Sequence, residues 1–151
     1  MFEIESKDQD IIVLNTKTTS IKFDLANETI DANLEVGKIV GPGEFEIGEV
    51  AIRGIAVKDG KTIYDAVMNN VHVGIIGAVD DALALDGLGI SDVLCSSSVR
   101  AVREIEPKVV VAMGNIDGMV MDLKVAARAE KKLKVKSLES LPATLDVVAL
   151  A

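Results

Sequence analysis

The chain holds one histidine, His72, and one cysteine, Cys95, and these set the first limit on its chemistry. A histidine-rich zinc centre, an HExxH helix or a zinc finger each needs more such ligands than one chain supplies here. A Cys–His or Ser–His relay would have to use His72. Oxygen donors are more plentiful. Asp80 and Asp81 follow an apolar run, where ligand loops are commonly found. With Asp86, Asp92 and Asp117 they could form a magnesium or calcium site. The same residue type is equally expected as a turn and cap former. Cys95, Ser96, Ser97 and Ser98 stand where a strand feeds a helix, and free amides there suit an anion. One serine acting as a helix cap accounts for the same pattern. Cys95 is a nucleophile only beside a base, and a lone cysteine is more often a buried small hydrophobe. His72 points away from Val71 and Val73 by strand alternation, toward solvent, where a hydrogen-bonded structural role is the plainer account.

Two glycine-rich stretches fail as phosphate loops. Residues 41–48 (GPGEFEIG) lack the Lys-Ser/Thr pair of a P-loop, and Gly87 and Gly89 lack the third glycine of a dinucleotide site. Both read as turns. The net charge is −8, with 4 Lys/Arg against 11 Asp/Glu in residues 1–50 and 8 against 7 in residues 101–151. That balance disfavours nucleic acid as a partner. Lys124, Arg128, Lys131, Lys132, Lys134 and Lys136 form one basic cluster, read as the solvated end of a helix and the strand after it.

These residues must be held by ordinary globular elements. The 151 residues are 49% hydrophobic and 26% charged, a folded composition for one domain over residues 1–151. Three Phe, one Tyr and no Trp leave an aliphatic core. The longest uncharged run, residues 66–79, is shorter than the roughly 18–20 residues of a membrane span. Acid at the N-terminus and a single cysteine favour a cytoplasmic location. Residues 2–6, 11–16 and 20–25 read as strands, and 45–47 as a short one. Residues 49–57 and 61–68 form a hairpin with a type I′ turn at Asp59-Gly60. Asn69-Asn70 turns the chain into a buried strand at 71–78. Strands at 92–95, 108–113, 133–135 and 145–150 follow, with helices at 97–106 and 117–132; in the latter Met119, Leu123, Ala126 and Ala127 keep a helical spacing. The sum is a mixed α+β chain.

Residues 38–55 (KIVGPGEFEIGEVAIRGI) resemble a segment of small bacterial metallo-β-lactamase-fold hydrolases of the lactonase-like branch. Residues 60–64, 71–77, 91–94 and 105–113 (IEPKVVVAM) keep that family's order. The resemblance implies an α+β fold, a β-sandwich flanked by helices (αββα), in a trimmed version. It also implies where metal ligands would stand. The family's His-x-His-x-Asp-His loop falls on residues 26–37, which contain no histidine. Its His-Leu-Gly-Asp becomes Ile75, Ile76, Gly77 and Ala78, and its Pro-Met-His becomes Ala112, Met113 and Gly114.

The expectation is therefore a metal-free, non-catalytic relative with no catalytic residue and no cofactor, a pseudoenzyme. Its role would be structural or interactive, with itself (a homo-oligomer) or another protein as partner, and with neither nucleic acid nor membrane. A different class is a small-ligand module using the vestigial pocket, lined by Ala78, Asp80, Asp81, Cys95, Ser96, Ser97, Gly114, Asn115 and Asp117. A third is a residual hydrolase relying on Asp80, Asp81 or Cys95.

Overall fold

The computed structural model describes residues 1–33 and 37–150. Two sheets face each other. The first has six strands in the order β13-β1-β2-β3-β4-β5: β1 (Phe2–Asp8), β2 (Ile11–Asn15), β3 (Ser20–Asp24), β4 (Thr29–Asp31), β5 (Ile39–Val40) and β13 (Leu133–Val135). The second has eight, ordered β12-β14-β11-β10-β9-β8-β7-β6: β6 (Gly43–Ile47), β7 (Val50–Ala56), β8 (Thr62–Met68), β9 (Val71–Gly77), β10 (Val93–Ser96), β11 (Val109–Ala112), β12 (Ala127–Glu130) and β14 (Asp146–Leu150). From β6 to β9 this sheet is antiparallel; from β9 to β12 it is parallel.

Alternation builds the space between the sheets. Ile4, Leu14, Ile21 and Phe23 of the first meet Tyr64, Val73, Ile75, Cys95 and Val111 of the second. Phe23 and Tyr64 are tilted at 54° with centroids 5.4 Å apart, a favourable aromatic arrangement. The outer face of the eight-stranded sheet is covered by α1 (Ala82–Leu88), α2 (Val99–Ile105) and α3 (Ile116–Leu123), through a second cluster that includes Leu85, Leu88, Val102 and Met119. The α+β sandwich of the sequence reading is present. Of the two helical layers placed outside it, the described residues form one, on the eight-stranded sheet. No helix among them is long and apolar enough to cross a membrane.

Three local expectations are corrected. The helix at 117–132 stops at Leu123, because Lys124 takes a left-handed conformation (φ 56°) and closes the helix through its N–H to the Val120 carbonyl. Residues 127–130 instead pair with β14 as an edge strand. The type I′ turn lies at Asn69-Asn70, whose φ angles are 53° and 63°, and not at Asp59-Gly60. There Gly60 alone has positive φ, and its N–H donates to the Val57 carbonyl, so Lys58 and Asp59 make the turn and glycine follows as a bulge. Residues 82–88 form a helix that the sequence reading did not contain; Asp81 caps it and two glycines crowd its end.

Candidate functional site

The resemblance places chemistry at the C-terminal ends of β9, β10 and β11, and the chain knots these ends together. Gly77 closes β9 at φ 59°, and its carbonyl accepts from the Ser96 hydroxyl and the Ser97 N–H, each at 2.9 Å. Ser96 Oγ accepts from the Ser98 N–H at 2.9 Å, and the Ser96 carbonyl from the Met113 N–H at 3.0 Å. Asn115 Nδ2 donates to the Ser97 carbonyl at 3.3 Å. Ser98 caps α2 by accepting from Ala101, and Asp81 caps α1 by accepting from Leu83. These polar groups are spent on backbone, as capping chemistry requires.

A groove of about 310 Å³ lies beside this knot, lined by Asp10, Leu25, Glu28, Lys61, Gly77 and Ala78 among others. Of the nine expected pocket residues, Ala78 lines it. Ser96, Ser97 and Asn115 form the latch between the strand ends, and Gly114 faces Gln9. Asp80 is exposed, Asp81 is a cap, and Asp117 is exposed in the first turn of α3. Cys95 is fully buried between the sheets, where burial pushes its thiol up, against any thiolate role.

A metal centre does not fit these residues. Ile75 is packed in the inner core, Ala78 carries no donor, Gly114 has no side chain, and the Ser96 hydroxyl is already committed. Among the described residues no three His, Cys, Asp or Glu side chains gather in a way that could hold an ion. Asp10, Glu28 and Lys61 line the groove and give it charge of both signs.

A second polar cluster was missed by the sequence reading. Asp65, with a side chain 5% exposed, lies on the outer face of β8. Arg53 Nη2 approaches it at 3.4 Å while donating to the Leu88 carbonyl at 2.8 Å, and His72 Nδ1 stands 3.3 Å away. Burial raises the Asp65 pKa, opposed by His72 and Arg53. The signal was available: an aspartate inside an apolar strand, followed by a two-residue turn that sets Val67 opposite His72 and Asp65 opposite Gly74.

Comparison with known proteins places this architecture. The fold is that of the metallo-β-lactamase superfamily. It is similar to the crystal structure of a proposed Zn-dependent hydrolase of that superfamily from Thermotoga maritima, with a TM-score of 0.72 over all of both chains and 16% identity. No family model and no curated protein matches the sequence.

Proposed function

We propose that this chain is a non-catalytic, metal-free protein on the metallo-β-lactamase fold that works as an interaction module by associating with further copies of itself. The observation that carries the reading is the state of the strand ends: where the fold's hydrolases hold their reactive centre, this chain has Ile75, Ala78 and Gly114, and its hydroxyls serve as latches and caps. Self-association is supported by the edge position of β6, which has β7 as its one strand neighbour among the described residues, and by the exposed apolar Leu83 of α1 and Ile90 just after it. The net charge of −8 argues for neither nucleic acid nor an acidic membrane as partner, and a cytoplasmic location accords with the sequence.

Native mass spectrometry tests both halves of the reading at once. The expected spectrum is a clean multiple of 16.0 kDa with no added mass. Two bound zinc masses per chain overturn the metal-free half, and an apo monomer at micromolar concentration overturns the self-association. A second reading, a small-ligand module, is favoured by the mixed charge of the groove at Asp10, Glu28 and Lys61. A thermal-shift screen of sugar phosphates and nucleotides decides it: stabilisation lost in Lys61→Ala supports the module, and no shift at millimolar ligand removes it.

A further inference from the structure

The outer face of β6–β9 carries two cross-strand rows. In one, Glu44 opposes Arg53, Arg53 opposes Asp65 and Asp65 opposes Gly74; in the other, Glu46 opposes Ala51, Ala51 opposes Val67 and Val67 opposes His72. Helix α1 covers this face only as far as Leu88, where its carbonyl takes the Arg53 guanidinium. Beyond that point Glu44, Glu46 and Ala51 are exposed, and with Arg53, Asp65 and Val67 they line a concavity of about 340 Å³. Arg53 is committed to Asp65 and to that carbonyl. Among the described residues, Glu44 and Glu46 therefore make no ion pair, and both are exposed.

The opposite edge of the same sheet has the opposite charge. Strand β12 is followed by Lys131 and Lys132, which cross to β13 in the other sheet, and a concavity of about 480 Å³ runs between the two strands. Arg128 is held by Glu130 at 2.7 Å and Asp146 at 2.9 Å, and Lys132 by Glu3 at 3.3 Å. Lys131 and Lys134 are exposed and make no ion pair among the described residues. Seven strand spacings of about 4.8 Å separate β6 from β12, so the two patches lie roughly 34 Å apart in one molecule. That is several Debye lengths at physiological salt (about 8 Å). The charges can meet only between molecules.

We propose that the basic β12–β13 corner of one copy seats on the acidic outer face of β6–β8 of the next. This rests on the self-association reading above and names the surfaces that carry it. The lysine stems of Lys131 and Lys134 cover Ala51 and Val67 while their ammonium groups pair with Glu44 and Glu46. Each copy offers both surfaces once, so copies pair reciprocally in a two-fold dimer, close a larger ring or grow a filament.

The test is light scattering on three proteins: the wild type, Glu44→Lys/Glu46→Lys and Lys131→Glu/Lys134→Glu. All substituted side chains are exposed, and circular dichroism melts confirm folding. The wild type is expected as an oligomer whose apparent dissociation constant weakens at least tenfold between about 0.05 and 0.5 M salt. Each double variant alone is expected at the monomer mass of 16.0 kDa, and mixing the two is expected to restore assembly with the variants alternating, because both reversed surfaces find a complement. A monomeric wild type at low salt overturns the self-association reading and this interface with it. An oligomer unchanged in both variants overturns this interface and leaves the reading standing. Monomeric variants that fail to reassemble on mixing refute the pairing of these two surfaces.

Discussion

Replacing Asp65 by asparagine puts the outer-face cluster to a quantitative test. Among the described residues Asp65 is the buried charged side chain of the fold, and its two partners are not buried: the Arg53 and His72 side chains are 43% and 39% exposed against 5% for Asp65. Breaking a fully buried ion pair costs about 3–5 kcal/mol because the surviving charge is stranded. Here the survivors turn to water, so what is lost is two contacts of about 0.2–1 kcal/mol each. Against that loss stands the burial of an ionised carboxylate, which pushes the Asp65 pKa up despite His72 and Arg53. Asparagine keeps the shape and an acceptor for Arg53 and removes the buried charge. The expected change at pH 7 is therefore within about 1 kcal/mol of zero. The pH dependence has a definite sign. A carboxyl with a raised folded-state pKa contributes stability that is fully present below its unfolded value near 3.8 and is lost as pH rises through the folded value. The wild type is thus expected to gain on the variant in acid and lose ground toward neutrality. Urea denaturation of both proteins between about pH 3 and 7 measures this. A loss above roughly 3 kcal/mol at pH 7, or a gap that widens in favour of the wild type as pH rises, would refute the reasoning.

Two further outcomes follow from packing. A Cβ at Gly74 would stand 2.5 Å from Ser91 Oγ, 3.0 Å from Leu94 Cδ1 and 3.2 Å from Leu88 Cδ2, so Gly74→Ala is expected to cost about 1–3 kcal/mol. Among the described residues the buried Ser91 hydroxyl has no hydrogen-bond partner, so Ser91→Ala is expected to be neutral or stabilising, and to recover a large part of the Gly74→Ala loss in the double variant; strictly additive melts would contradict this. Cys95, fully buried with its thiol pushed up, is expected to react with a thiol reagent roughly a thousandfold more slowly in the native protein than in denaturant, and rapid native labelling would show that the sandwich opens there.

What the sequence disclosed and what it withheld divide along physical lines. The strands around Asn69-Asn70 were legible because their alternation and turn chemistry are local. A serine cap at the head of α2 was legible for the same reason, while its assignment to Ser98 came from the structure. Residues 127–130 were not. Ala, Arg and Glu are good helix formers, and their strand state is imposed by pairing with Asp146–Leu150, a distant segment. The candidate site was legible mainly as a list of missing ligands. Where each remaining polar group goes required coordinates: Ser96 and Asp81 stood open between ligand and cap or turn roles, and are a latch and a cap. The Arg53–Asp65–His72 cluster is assembled from three strands, so its meaning appears only once their register is known.

The place of β14 in the sheet has a consequence for the order in which the chain can fold. Strand β12 is made before β14, yet among the described residues β14 is its one hydrogen-bonded strand neighbour, seated between it and β11. Until Asp146–Leu150 has been synthesised and has docked on β11, residues 127–130 lack this partner. A waiting strand of valine and isoleucine would be a template for aggregation. Ala127, Arg128, Ala129 and Glu130 can instead idle in water, because they carry little apolar surface and two opposite charges. The polar character of this edge is thus a kinetic safeguard, and it lets the slow, long-range closure of the sheet proceed without a sticky intermediate.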